Sequence, residues 1–94
     1  MIRVLAKKDR ITIYGHSQSD VCAAVSSVMY TTINILFRYD ASSILYEDCK
    51  DSVCITILKH DNIIDMVIDN MLQMFEDVCD QAPKSCIEVR RDEI

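Results

Sequence analysis

The stretch GHSQSDVCAAVSS, residues 15–27, brings a histidine, His16, an aspartate, Asp20, and a cysteine, Cys22, within seven positions. Those residue types can do thiol chemistry: a thiolate attacks a carbonyl carbon, and an imidazole within hydrogen-bond reach takes the thiol proton. An ordinary thiol is only about 3% ionised at pH 7, and raising that fraction to roughly three quarters costs about 2.7 kcal/mol. A helix dipole supplies about 0.3–1 kcal/mol, up to about 2 where partly buried, so a second positive group is needed. His16 is the nearest one. Asp20 works against it, because a carboxylate two residues from the sulfur opposes a second negative charge unless helix capping or the imidazole engages it. The five residues between His16 and Cys22 can fold back to bring the two together, but nothing in the spacing compels them to. On the residues alone, VCAAVSS also reads as the small-residue face of a helix packed on a sheet, with His16 in an exposed loop.

The elements around this stretch decide how it is presented. MIRVLAK and RITIYGH are rich in β-branched residues and flank Lys8 and Asp9, which predicts two strands joined by a tight turn. From Asp20 the period changes. Val21, Ala24, Val25, Val28, Thr32, Ile35 and Leu36 recur at helical spacing to about Phe37, with Asp20 or Ser19 as the N-cap. His16 thereby ends the second strand and Cys22 enters the first turn of a helix, where unpartnered N–H groups favour a thiolate. SILYED and SVCITILK predict a second hairpin turning at Cys49, Lys50 and Asp51. A second helix is capped by Asp61, buries Ile64, Val67, Ile68, Met71, Phe75 and Val78, and ends at Pro83; SCIEVRR is a last strand. The order ββαββαβ, with two helices for about five strands, predicts an α+β two-layer sandwich whose helices cover one face of the sheet. The other face must be polar or covered by a partner.

Composition narrows the function. The 94 residues, half of them apolar, make one domain, 1–94, and the single Gly and single Pro leave little material for long loops. Fifteen acidic against ten basic side chains, a formal charge of −5, argue against direct binding of nucleic acid. MIRVLAKKDR lacks the apolar core of a secretory signal and no run reads as a membrane span, so a soluble cytoplasmic protein is expected. The five cysteines, an odd number, are expected to be reduced.

The string itself carries more than its spacing. Gly15, His16, a short polar linker, then Asp20, Val21, Cys22, Ala23, Ala24, Val25 and Ser26 resemble the ribosomal-processing cysteine protease family of bacteria, the YsxB-like proteins. Chain length and element order agree with that family over essentially all 94 residues. The resemblance implies a homodimeric cysteine endopeptidase that removes the N-terminal extension of a large-subunit ribosomal protein, the one numbered twenty-seven, and so serves ribosome assembly. It makes Cys22 the nucleophile and His16 the general base, with Asp20 and Ser26 as supporting groups; no cofactor and no metal is implied. Ser26 lies one helical turn after Cys22 and so shares its face. The loop Ser17, Gln18, Ser19 is shorter than in many members of the family. Two readings of other classes stand beside this one: a catalytically silent module that binds a ribosomal protein tail, and a redox-responsive protein in which Cys22 is an oxidisable thiol.

The remaining candidates read as structural. His60 precedes a helix cap and is expected to be a solvated turn residue. Cys49 and Cys54, like Cys79 and Cys86, lack the spacing of a zinc knuckle; Cys54 and Cys86 are expected in the core and Cys79 on the inner edge of the second helix. Met71 fills the core, whereas Met66 and Met74 fall off the buried stripe. Asp61, Asp65, Asp69, Glu76, Asp77 and Asp80 make a solvated acidic ridge.

Overall fold

The computed structural model describes residues 1–15, 19–81 and 87–92. Its elements follow the predicted order: β1 Ile2–Ala6, β2 Arg10–Gly15, α1 Ser19–Tyr39, β3 Ile44–Cys49, β4 Ser52–Ile57, α2 Asn62–Gln81 and β5 Ile87–Arg91. Both hairpins form. The first closes through the Lys7 N–H on the Arg10 carbonyl at 2.8 Å, and the second leaves only Lys50 and Asp51 between its strands. Pro83, Cys86 and the predicted start of β5 lie outside the described residues.

The strands form one sheet in the order β3-β4-β2-β1-β5, in which only the β1–β5 pair is parallel. That pair requires a crossover, and the segment from β2 to α2 supplies it. Strand alternation puts Ile2, Val4, Ala6, Ile11, Ile13, Ile55 and Ile57 on one face, where they are buried. Both helices cover that face. From α1 come Val21, Val25, Met29, Ile33 and Leu36, and from α2 come Ile64, Ile68, Met71, Leu72 and Phe75. The fold is thus the predicted α+β two-layer sandwich.

The buried stripe of α1 is rotated from its sequence reading. Met29 and Ile33 are buried, whereas Ile35 is 46% exposed and Ala24 and Val28 are half-buried. The run of apolar residues in α1 is too continuous for its period to point one way. Contrary to expectation, α1 is long and apolar enough by length and composition to cross a membrane, and only 33% of that stretch is buried in the fold.

Two further expectations need correction. Cys54 is buried but not in the core between the layers: it pairs with Thr12 and Glu47 on the opposite face of the sheet. Its sulfur accepts an N–H from Arg10 at 3.2 Å and lies 3.8 Å from the Thr12 hydroxyl. His60 is no freely solvated turn residue. Its Nε2 lies 2.6 Å from Asp9 of the β1–β2 turn and its Nδ1 2.7 Å from Asp65 in the first turn of α2. The acidic ridge of α2 is correspondingly engaged: Arg91 reaches Asp69 at 2.7 Å and makes a forked pair with Glu76 at 3.1 and 3.3 Å.

Candidate active site

β2 ends at Gly15, whose φ of 94° lies in the left-handed region. A side chain there would be strained by that angle, and a Cβ would collide with the carbonyl oxygen of Met1, one residue before β1. The chain's single glycine thus sits where β2 must turn toward α1 while another backbone passes close by. His16, the next residue, lies outside the described residues.

α1 begins at Ser19, two residues earlier than an Asp20 cap would give, so Asp20 occupies the first turn. Its carboxylate accepts the Val21 N–H at 2.9 Å and is otherwise exposed, consistent with the favourable position of an acid at a helix start. Cys22 follows in the same turn and is half-buried; Ser26, also half-buried, stands one turn on.

Cys22 and Ser26 line one cleft of about 260 Å³ between the end of β2, the start of α1 and the tip of the β3–β4 hairpin. Ile2, Ile13, Val25 and Met29 are buried side chains along it, and Tyr14, Tyr30, Asp48, Lys50 and Asp51 contribute exposed groups. Asp20 does not line it. An apolar floor under a polar rim suits an extended peptide, whose side chains need burial and whose backbone needs polar partners. A larger depression of about 480 Å³ lies between α1 and α2, but no thiol or titratable group lines it. Of the two, the cleft at Cys22 is the one lined by a thiol.

The hairpin wall was not legible as part of the site. Tyr46 of β3 packs its ring 6.3 Å from that of Tyr30 of α1, tilted by 45°. The Tyr46 hydroxyl lies 3.5 Å from that of Tyr30 and 3.4 Å from the Asp48 carboxylate, contacts long enough to be weak hydrogen bonds. The Tyr30 hydroxyl, then burial, push the Tyr46 phenol above its ordinary range. Only the acid-base-acid run Asp48–Asp51 hints at this wall in the sequence, and placing it opposite Cys22 requires the sheet order. Among the described residues no cluster of His, Cys, Asp and Glu is arranged to hold a metal ion.

An α+β sandwich that opens a cleft onto a thiol in the first turn of a helix is an arrangement that thiol chemistry can use. The chain belongs to the family described as cysteine protease Prp, whose model it matches over residues 1–87. Solved structures agree in fold. The ribosomal processing protease Prp from S. aureus, in complex with a substrate peptide, superposes with a TM-score of 0.81 at 10% identity, with 97% of each chain covered. The same protease with a covalently linked product peptide gives 0.75 at 17% identity, again covering 97% of each chain. SMU.848 from Streptococcus mutans gives 0.72 at 16% identity, covering 99% of this chain and 93% of that one. No curated protein matches in sequence.

Proposed function

We propose that this chain is an endopeptidase that works through a Cys22–His16 dyad, acts in the cytoplasm, and removes the N-terminal extension of the large-subunit ribosomal protein numbered twenty-seven. The observation that carries the reading is the position of Cys22, half-buried in the first turn of α1 and lining the open cleft. Family membership and the peptide complexes of the S. aureus protease support the substrate class.

In this mechanism His16 takes the proton from the Cys22 thiol as the sulfur bonds to the scissile carbonyl carbon. First-turn N–H groups of α1 hold the resulting oxyanion. Collapse breaks the carbon–nitrogen bond, and the proton on His16 leaves with the amine. Water then attacks the thioester, His16 takes its proton, and the carboxylic product departs as the thiol is restored. Ser26 donates into the cleft from the next turn, and Asp20 supports the start of the helix.

The test is incubation of the full chain with a peptide spanning the extension junction, followed by mass spectrometry. Two products from the wild type and none from Cys22→Ala or Cys22→Ser are expected. An intact peptide that is nevertheless retained by the wild type would replace this reading with that of a silent binding module.

A further inference from the structure

The cleft extends well past its thiol. Cys22, Ser26 and Tyr30 line it from successive turns of α1, and the helical rise puts Tyr30 about 12 Å from Cys22 along the axis. An extended peptide covers that distance in three to four residues, at about 3.3 Å each. Tyr30 is 52% exposed although its ring packs on that of Tyr46, so the ring is backed by β3 and still open to a ligand. Asp48 closes the same end from the hairpin. Along β3 the side chains of Ile44, Tyr46 and Asp48 alternate onto the side that carries the helices, while Glu47 pairs with Cys54 on the other. The Tyr30 hydroxyl and the Asp48 carboxylate each lie within 3.5 Å of one atom, the Tyr46 hydroxyl oxygen, which brings an aromatic ring and a carboxylate together at this end of the cleft.

The hairpin tip adds charge of one sign. Asp48 and Asp51 stand against the single Lys50, all three line the cleft, and among the described residues none of them forms an ion pair. The Tyr46 hydroxyl contact to Asp48, at 3.4 Å, is weak enough for a charged donor to outcompete it. An exposed ring beside carboxylates selects an ammonium or a guanidinium. The face of the ring attracts the cation and packs on its alkyl stem, and the carboxylates accept charge-assisted hydrogen bonds. A neutral side chain gains neither attraction, and an acidic one is repelled by both carboxylates.

We infer that the far end of the cleft is a subsite for a lysine or arginine side chain of the bound peptide, three or four residues from the scissile bond, held by Tyr30, Asp48 and Asp51. This rests on the proposed role of Cys22, which fixes where the scissile bond lies. Tyr30 and Asp48 are then specificity-determining residues: they touch the substrate at a distance from the reacting atoms and set which peptides are held in register over the thiol. A basic residue at that separation favours cleavage through tighter binding, not through a faster chemical step.

The test uses a set of peptides spanning the extension junction, neutral at the third and fourth residues on each side of the scissile bond, with one lysine or one norleucine restored at each of those positions in turn. Binding is read by fluorescence anisotropy on the full chain carrying Cys22→Ala, and cleavage by the wild type gives KM and kcat separately. Lysine at one of these positions is expected to lower Kd and KM by about tenfold relative to norleucine, with kcat little changed and the preference shrinking as salt is raised. Asp48→Asn and Tyr30→Leu are each expected to reduce that lysine-to-norleucine ratio severalfold; Asp48→Asn changes one exposed side chain for its isostere, so the ratio can be read even if Tyr30→Leu fails to fold. Equal affinity for the lysine and norleucine peptides overturns the subsite while cleavage, and with it the peptidase reading, stands. A lysine preference that Asp48→Asn leaves intact overturns the assignment to this end of the cleft. A wild type that cleaves none of the peptides overturns the peptidase reading and the subsite together.

Discussion

The two ends of β2 are built in opposite ways. At its start, the Asp9 turn is tied to α2 through His60, which touches carboxylates with both ring nitrogens. Around it Lys59 pairs with Asp40 at 3.0 Å, and the Tyr39 hydroxyl donates to Asp61 at 2.7 Å. Asp61 in turn accepts the Ile64 N–H at 2.7 Å and caps α2. At the other end, Gly15 opens into a cleft in which Cys22 faces a hairpin tip carrying Asp48, Lys50 and Asp51. Among the described residues none of those three charges forms an ion pair. Similar residue types thus serve two purposes. Where acids, bases and a histidine satisfy one another they fix the crossing of elements; where they are left open around a thiol they are available to a ligand.

Separating the two ends by substitution gives the largest effect first. Cys22→Ala should lower peptide cleavage by at least about a thousandfold, as loss of a covalent nucleophile does, with an unchanged thermal melt. A retained rate would place the chemistry elsewhere. Gly15→Ala should cost about 1–3 kcal/mol in chemical denaturation, because it forces a side chain into a left-handed backbone position and against the Met1 carbonyl. Unchanged stability would mean that the turn at the cleft end tolerates rebuilding.

The histidine clamp should give the smallest effect, and one that depends on pH. Hydrogen bonds to Asp65 and then Asp9 raise the His60 pKa above its ordinary value, because only the imidazolium donates from both nitrogens. Its contribution to stability is therefore complete below about 6.5, the unfolded value, and is lost as pH rises through the higher folded value. Both pairs are partly exposed to solvent, so each is worth about 1 kcal/mol at most. The melting temperature should fall modestly across that window in the wild type and stay flat in His60→Asn, with cleavage by the variant unaffected at any one pH. A variant that loses cleavage would erase the distinction between the two ends.

The contrast also explains what could be read in advance. The strands, the two helices and the layer order follow from period and turn residues that act locally, and these place Cys22 in a first turn and Ser26 one turn later. The resemblance of the GH…DVCAAVS string leads to the family that the match over residues 1–87 shows. What escaped is tertiary in origin. His60 is separated from Asp9 by 51 positions, Arg10 from Cys54 by 44, and the hairpin tip meets α1 only because β3 lies at the edge of the sheet on the side of β2 away from β1. The buried stripe of α1 is not fixed by its period because its apolar residues run round most of the helix, and only packing shows that Ile35 faces out while Met29 and Ile33 face in.

The account turns on a reactive sulfur at the cleft end, and the alkylation rate of Cys22 at pH 6 reports on it directly. The wild type should react far faster than an ordinary thiol, His16→Ala should slow it by one to two orders of magnitude as the group that takes the thiol proton is lost, and His60→Ala should leave it unchanged. Equally slow alkylation in the wild type and in His16→Ala would contradict the assignment of Cys22 and His16 as a working pair.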